Sequence, residues 1–235
     1  MMIREAIILS GGLGTRLRET VPELPKSMAP VAGVPFIKYV IDHLATGGIE
    51  RFVFSLGYKH EVIEDFIHLE YQDIEVAFVV EDEPLGTGGA IAKAARECKS
   101  ENVIIANGDT LFKINTKQLG DFHLKHNAEC TLTLKPMRNF DRYGLVLLNK
   151  DSYVQSFLEK AYYDEGLING GVYALNLPCF LSIDFPEKFS FEKEYLEKYY
   201  PSRKMMGLVQ DNYFIDIGIP EDYNRASLEL AGPTR

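Results

Sequence analysis

The chain has 235 residues, of which 46% are hydrophobic, and its formal net charge at pH 7 is −9. This length fits one medium α/β domain or two small ones, and the apolar content excludes a disordered chain. The excess of carboxylates argues against nucleic acid as a partner, because phosphate backbones usually meet a basic protein face. No uncharged apolar run of 18 residues and no signal peptide can be recognised, so the sequence predicts a cytoplasmic protein without a membrane contact.

The first half of the chain alternates predicted strands with predicted helices. We expect strands at residues 5–9, 51–56, 75–80 and 102–106, and helices at residues 35–45, 60–69 and 87–98. Helices of about ten residues between apolar strands are typical of βαβ units. This half therefore predicts a largely parallel sheet with helices on its faces.

The regular alternation of predicted strands and helices ends after Asn107-Gly108-Asp109. We expect helices at residues 116–126, 191–198 and 220–230, and strands at 130–135, 144–148, 153–159, 171–175 and 213–217. Several of these strands are too close in sequence for crossover helices, so part of this half should be antiparallel. The prediction is one domain over residues 1–235, an α/β fold with a Rossmann-like open mixed, mostly parallel sheet flanked by helices.

A glycine-rich segment, Leu-Ser-Gly-Gly-Leu-Gly-Thr-Arg-Leu at residues 9–17, follows the first strand. Such a turn exposes backbone N–H groups that suit a phosphate chain. It is not a Walker loop, which needs a Lys after the glycines, and Leu17 stands where a dinucleotide fingerprint needs its third glycine. Taken alone, the segment fits a phosphate site or a plain strand-to-helix turn. Arg16 and, further on, Lys26 add cations that are suited to phosphate.

This combination resembles the sugar-1-phosphate nucleotidyltransferase family, whose hallmark is a G-G-x-G-T-R-L loop followed by Pro-Lys. The matching residues are Gly11, Gly12, Gly14, Thr15, Arg16, Leu17, Pro25 and Lys26. The resemblance implies a nucleotidyltransferase (GT-A-like) fold and an enzyme that joins a nucleoside triphosphate to a sugar 1-phosphate, releasing pyrophosphate. It implies that Leu9, Gly11, Gly12, Gly14, Thr15 and Arg16 hold the triphosphate and that Lys26 stabilises charge near its α-phosphate.

The segment Glu83-Pro-Leu-Gly-Thr-Gly-Gly-Ala90 resembles the base-binding loop of the same family. The resemblance places Glu83, Gly86 and Gly88 at the nucleotide, where small residues would let a flat base lie against the backbone. The same segment also fits an ordinary helix start with Thr87 as the N-cap. Both interpretations can hold together.

Two carboxylates match the magnesium-binding aspartates of the family. Asp109 follows an apolar strand, at the end where open α/β sheets bind ligands, and Asp216 lies in Phe-Ile-Asp-Ile-Gly-Ile-Pro. The resemblance implies that Asp109 and Asp216 together hold Mg²⁺, which takes few protein oxygens and keeps phosphates and waters. Without the resemblance, Asp109 would belong to a common Asn-Gly-Asp turn and Asp216 would precede a helix.

The resemblance also assigns residues to the sugar phosphate. Glu159 would meet sugar hydroxyls and Lys160 the phosphate, although Ala161 stands where the family often has Pro. The further residues that it assigns to the substrate are Asn107, Gly108, Tyr143, Gly144, Asn169 and Gly170, the last four in two sugar-side loops, Tyr143-Gly144 and Asn169-Gly170-Gly171. The ordinary alternative is a solvated Glu-Lys pair and glycines that serve only as turn residues.

Residues 25–30, the Gly57-Tyr58-Lys59 segment and the base-loop segment resemble one branch of the family, the D-glycero-α-D-manno-heptose 1-phosphate guanylyltransferases. The branch implies GTP and a heptose. Mannose 1-phosphate guanylyltransferases and N-acetylmuramate 1-phosphate uridylyltransferases remain alternatives. A non-catalytic subunit that senses nucleotide-sugars is a further alternative, and so is a glycosyltransferase. The Tyr-rich residues 195–200 fit packing or a subunit contact, which leaves a homo-oligomer open.

Overall fold

A nine-stranded mixed sheet forms the centre of the computed structural model, which describes residues 2–12 and 21–231. The strands in chain order are β1 (Glu5–Ser10), β2 (Pro30–Val31), β3 (Val34–Pro35), β4 (Arg51–Leu56), β5 (Glu75–Val80), β6 (Asn102–Asn107), β7 (Thr110–Phe112), β8 (Cys130–Phe140), β9 (Leu145–Leu148), β10 (Val154–Leu158), β11 (Tyr163–Asn176), β12 (Met205–Val209) and β13 (Phe214–Asp216). The helices are α1 (Phe36–Thr46), α2 (His60–Glu70), α3 (Gly86–Ala94), α4 (Thr116–His126), α5 (Leu177–Leu181) and α6 (Pro220–Glu229). Shorter helical segments lie at Lys26–Met28, Ala95–Glu97 and Phe191–Glu197.

The parallel half of the sheet has the order β6-β1-β4-β5. Its middle strand β1 sends Ala6 and Ile8 into one core and Ile7 into the core on the other face. A strand buried on both faces reads as a continuous apolar run, which explains why β1, β4 and β6 could be predicted from sequence. Strands β4 and β5 have the predicted bounds, and β1 and β6 are each one residue longer.

The antiparallel half begins where β11 pairs with β6. Strand β11 is much longer than the predicted 171–175, because it also pairs with β8 along most of its length. The predicted loop Asn169-Gly170-Gly171 was therefore wrong: these residues lie within β11, where the pairing with β8 shifts register between Asn169 and Tyr173. Strand β12, which pairs with β8, was not predicted.

The predicted helices occur close to their expected bounds, and the third is shorter than predicted. Helix α3 begins at Gly86 and ends at Ala94, after which the chain tightens into the turn Ala95–Glu97. The prediction of Thr87 as an N-cap was wrong, since Thr87 lies within the helix. Its hydroxyl donates to Glu192 at 2.7 Å and accepts from the Phe191 N–H at 2.9 Å, so it links α3 to the segment Phe191–Glu197. No helix of the described residues is long and apolar enough to cross a membrane.

Candidate active site

The two predicted metal ligands are brought together by a small antiparallel sheet. Strand β13 pairs with β7 in a register that sets Asp216 opposite Thr110, the neighbour of Asp109. The Ile217 N–H also donates to the carbonyl oxygen of Asp109 at 3.1 Å. Two carboxylates that are remote in sequence therefore lie side by side at the edge of the central sheet.

Lys26 lies between these carboxylates. Its Nζ is 2.6 Å from Asp109 Oδ2 and 3.5 Å from Asp216 Oδ1, and its side chain is only 17% exposed. A Cβ added at Gly218 would lie 2.8 Å from Asp216 Oδ1 and 2.9 Å from Lys26 Nζ, so a side chain there would displace one of these two groups. The backbone N–H of Gly218 donates to Asp216 Oδ1 at 2.7 Å. Sequence reasoning missed Gly218, although the Asp-Ile-Gly spacing was visible.

The pKa of Asp216 is raised above its ordinary value. Burial is the main cause and the nearby Asp109 charge the second, while Lys26 and the Gly218 N–H act in the opposite direction. A pair of partly buried carboxylates is stable as anions only next to a cation. Lys26 compensates one of the two negative charges, so the pair can still take a further positive charge.

The donor set suits a divalent metal ion that prefers oxygen ligands. Within residues 2–12 and 21–231, no cluster of three or more His, Cys, Asp or Glu side chains could hold a metal ion. Mg²⁺ typically takes one or two carboxylates and completes its octahedron with phosphates and waters, so Asp109 and Asp216 fit its requirements. A structural zinc site, which needs four protein ligands, is not compatible with them.

Two cavities meet at the end of β1. The first, of about 300 Å³, is called the reaction cavity here because both predicted metal ligands line it; its lining is Leu9, Ser10, Gly12, Lys26, Ser27, Asp109, Arg142, Asp216, Gly218 and Ile219. The second, of about 310 Å³, is called the base cavity because part of the predicted base-binding segment lines it; its lining is Leu9, Gly11, Gly12, Glu81, Pro84, Gly86, Thr87, Ala90, Asn107 and Asp109. They share Leu9, Gly12 and Asp109, so a ligand that spans both would cross the start of the glycine segment. The predicted Gly14, Thr15 and Arg16 lie outside the described residues.

Glu81 is a charged residue of the base cavity that sequence reasoning missed. Its carboxylate accepts from Ser55 Oγ at 3.0 Å and from the Leu85 N–H at 2.9 Å. A Cβ added at Gly11 would lie 2.6 Å from Glu81 Oε1, so the glycine allows this close approach. The predicted Glu83 is exposed and does not line either cavity. Glu81 could have been singled out because it directly follows β5, at the ligand-binding end of the sheet.

The glycines at the start of α3 have different roles. Gly86, at φ +72°, lines the base cavity, and its contact with the nucleotide stays a prediction. Gly88 does not line it, because it packs against the ring of Phe189: an added Cβ would lie 2.2 Å from Phe189 Cε2. Gly88 therefore makes a packing contact that positions α3, and its contact with the nucleotide stays a prediction.

Asn107 and Gly108, both predicted to contact the substrate, have different surroundings in the structure. Asn107 lines the base cavity. Gly108 donates its N–H to the carbonyl oxygen of Leu9 at 2.9 Å, and an added Cβ would lie 2.1 Å from Ser10 Oγ. It therefore holds the ends of β6 and β1 together.

The predicted sugar-side residues lie at different distances from the reaction cavity. Burial raises the pKa of Tyr143 to about 12, and the negative charge of the nearby Asp216 acts in the same direction. Gly144 lies close to the Leu158 backbone, since an added Cβ at Gly144 would be 2.4 Å from the carbonyl oxygen of Leu158. Glu159 and Lys160 follow β10, are exposed and do not line the cavity.

Asn169 and Gly170 were predicted in a sugar-side loop and are instead engaged within the sheet. The Asn169 side chain accepts from the Gly171 N–H at 3.1 Å and donates to the Tyr173 hydroxyl at 2.8 Å. Gly170 faces Phe112, whose ring would lie 2.4 Å from an added Cβ. The absence of a side chain at Gly170 therefore lets β11 pack closely against Phe112 of β7.

A family model described as Nucleotidyl transferase matches residues 5–232. The chain belongs to this family. It is 50% identical over 226 residues to a D-glycero-alpha-D-manno-heptose 1-phosphate guanylyltransferase of Aneurinibacillus thermoaerophilus, covering 96% of this chain and 98% of the relative. It is 43% identical to a protein of the same name from Campylobacter jejuni, covering 93% and 96% of the two chains. A mannose-1-phosphate guanylyltransferase of Mycobacterium tuberculosis is 34% identical, and the match spans 64% of that longer protein.

Solved structures support the same assignment. The crystal structure of HddC from Yersinia pseudotuberculosis complexed with GMP-PN superposes with a TM-score of 0.86 at 35% identity, covering 97% of this chain and 99% of that one. An inositol-1-phosphate CTP transferase from T. maritima, at 20% identity and a TM-score of 0.78, shares the fold. The predicted family and the predicted nucleotidyltransferase (GT-A-like) fold are thus confirmed.

The site of this nucleotidyl transferase is suited to chemistry between phosphate groups. The described part of the reaction cavity contributes the cations Lys26 and Arg142 and the carboxylates Asp109 and Asp216. This described lining contains the hydroxyls of Ser10 and Ser27, but it contains no Cys that could act as a nucleophile and no His that could act as its base. Positioning and charge compensation, rather than a covalent enzyme intermediate, are what these residues can supply.

Proposed function

We propose that the protein transfers GMP from GTP to D-glycero-α-D-manno-heptose 1-phosphate, producing a nucleotide-sugar and pyrophosphate. The two relatives with this named activity are matched over nearly their whole length, whereas the mannose-specific relative is longer and less similar. The different-class alternative, a subunit without catalysis, is disfavoured because Lys26, Asp109 and Asp216 are present and lie together.

Glu81 in the base cavity is the observation that carries the choice of GTP. Guanine presents two neighbouring donors, N1–H and the N2 amino group, which one carboxylate can accept together. Uracil presents one N–H between two carbonyl acceptors, which a carboxylate would repel. Ser55 and Leu85 hold the Glu81 carboxylate in place through one hydrogen bond to each oxygen, so its remaining lone pairs are available to a base.

The proposed mechanism is an in-line attack of a sugar phosphate oxygen on the α-phosphorus of GTP. The attacking oxygen is already ionised near neutral pH and needs little help from a general base. The Lys26 side chain would shift toward the α-phosphate and stabilise the negative charge that develops there. Arg16 and the glycine segment would hold the β- and γ-phosphates, which leave as pyrophosphate. Asp109 and Asp216 would hold Mg²⁺, which when bound compensates negative charge on the reacting phosphates. Lys160 remains a predicted contact of the sugar phosphate.

The assignment is tested by measuring pyrophosphate release. GTP, UTP, dTTP and CTP are each combined with the 1-phosphates of D-glycero-α-D-manno-heptose, mannose, glucose and N-acetylmuramate. We expect GTP with the heptose phosphate to give the highest kcat/KM. UTP at least as efficient as GTP would replace the assignment with a uridylyltransferase, and a preference for mannose 1-phosphate would replace the sugar. A cytoplasmic location and a homo-oligomer stay predictions.

The base contact is tested with Glu81→Gln, for which Asp82→Asn is the matched control. A Gln amide presents a donor where guanine needs an acceptor, so kcat/KM for GTP should fall about 10- to 100-fold, as expected for a hydrogen bond to a charged group. The side chain of Asp82 is 98% exposed and lines neither cavity, so its variant should resemble the unchanged protein. An equal response of the two variants would contradict a role of Glu81 in base selection.

A further inference from the structure

Arg142 lines the reaction cavity and was not part of the sequence-based site. It lies in the turn between β8 and β9, directly before Tyr143. Its side chain is 39% exposed and borders the same cavity as Lys26 and the Asp109–Asp216 pair. The guanidinium also lies over the Tyr143 ring, 5.7 Å from its centroid, which restricts its position.

The guanidinium is held from the other side by helix α6. Arg142 Nη1 donates to Asp222 Oδ2, and Asp222 is 7% exposed. The other carboxylate oxygen of Asp222 already pairs with Arg225 Nη2 at 2.9 Å. Because Asp222 has a cationic partner without Arg142, the Arg142–Asp222 hydrogen bond serves to orient Arg142 rather than only to neutralise a buried carboxylate.

Arg142 keeps hydrogen-bonding capacity for a ligand. A guanidinium carries five N–H donors in a planar fork that matches two phosphate oxygens. Among the hydrogen bonds of the described residues, Asp222 accepts from one of its nitrogens. Burial acts to lower the pKa of Arg142, but Asp222, Tyr143 and Asp216 together raise it, so the group stays cationic throughout the working range of pH.

Within the described lining of the reaction cavity, Arg142 is the cation that forms no salt bridge with Asp109 or Asp216. Lys26 and Arg142 are balanced by Asp109 and Asp216, so the charged lining within the described residues sums to zero. The reaction adds a triphosphate and a sugar phosphate dianion to this space. Lys26 is engaged with both carboxylates, and the predicted phosphate contact Lys160 is exposed outside the cavity.

We propose that Arg142, oriented by Asp222, binds the phosphate group of the incoming sugar 1-phosphate and positions its oxygen for attack. This inference rests on the proposed function for the class of substrate and does not depend on which sugar is attached. A bidentate guanidinium contact fixes both the position and the orientation of the phosphate, which an in-line reaction needs.

The experiment compares Arg142→Gln and Arg142→Lys with Arg138→Gln. Arg138 lies on the same strand–turn segment, is 83% exposed and does not line the cavity, so it is a matched control. Steady-state kinetics are measured with the sugar 1-phosphate that the unchanged protein uses best. Isothermal titration with mannose 1-phosphate and heptose 1-phosphate, in the presence of a non-hydrolysable GTP analogue, measures binding without turnover. Thermal melting of each variant monitors the fold.

We expect Arg142→Gln to weaken sugar 1-phosphate binding and raise its KM about 10- to 100-fold, with a change below about threefold for GTP. Arg142→Lys keeps a charge next to Asp222 but lacks the fork, so it should fold normally and show an intermediate loss. Arg138→Gln should leave the KM for both substrates and the affinity for the sugar 1-phosphate unchanged. Equal losses for both substrates, or unchanged sugar phosphate affinity in a folded Arg142→Lys, would overturn the inference. A preference for another sugar would overturn only the heptose assignment.

Discussion

Replacement of Gly88 by Ala tests whether Phe189 positions the start of α3. An added Cβ would lie 2.2 Å from Phe189 Cε2. The ring cannot turn away easily, because it is buried and stacked on Phe185 with centroids 4.2 Å apart. The Phe189 carbonyl oxygen also accepts the Gly88 N–H at 3.0 Å. Helix and segment must therefore separate to admit a methyl group.

The magnitude follows from two opposing effects. Overpacking of a well-packed site costs about 1–3 kcal/mol, and replacing a helical Gly by Ala returns up to about 1 kcal/mol. The net loss is roughly 0–2 kcal/mol, and the closeness of the contact favours the upper end, which corresponds to a Tm lower by about 4–8 °C for a chain of this size. The KM for GTP should rise as well, since the neighbouring Gly86 and Thr87 line the base cavity.

Gly120→Ala is the matched control for this substitution. Gly120 lies within α4, and its added Cβ would meet Ile3 Cγ1 at 3.5 Å, an ordinary contact. This variant should gain up to about 1 kcal/mol from helix propensity and melt about 2–4 °C higher. Circular dichroism melts and GTP kinetics of both variants provide the measurement. If Gly88→Ala were as stable as Gly120→Ala and retained the KM for GTP, the Phe189 contact would not position α3.

Three further substitutions test charges in and beyond the site. Asp216→Asn should abolish most turnover yet raise the Tm at pH 7. The pKa of Asp216 is raised in the folded protein, so this acid stabilises the fold only below its unfolded pKa, and that stabilisation is lost as pH rises through the folded pKa. A lower Tm of the variant at pH 7 would contradict this reasoning. Burial lowers the pKa of His123 to about 4, so its contribution to stability is present above about 6.5 and lost as pH falls toward 4. His123→Gln should make the Tm fall less steeply over that range, and an unchanged slope would rule this out. Arg16→Ala should weaken use of GTP by about 1.5–3 kcal/mol and spare sugar phosphate binding; equal damage to both would indicate a shared role.

The sequence by itself determined most of the elements and the kind of chemistry. Apolar runs such as Arg51–Leu56 and Glu75–Val80 lie in the parallel part of the sheet, and this local pattern indicated their bounds directly. The glycine segment and Lys26 indicated a phosphate site because their residue types carry that chemistry in any context. One domain over residues 1–235 stays a prediction, supported by β11, which pairs with strands of both halves of the sheet.

Only the tertiary structure decided which of these residues meet. Asp109 and Asp216 are neighbours because β13 pairs with β7 in one register, and Glu81 and Arg142 line the cavities because strand ends and turns converge there. Gly88 and Gly170 resembled site glycines but contact the rings of Phe189 and Phe112. A sequence pattern reports local periodicity and residue chemistry, whereas contacts between remote segments depend on strand register and side-chain packing. Those are properties of the folded chain as a whole.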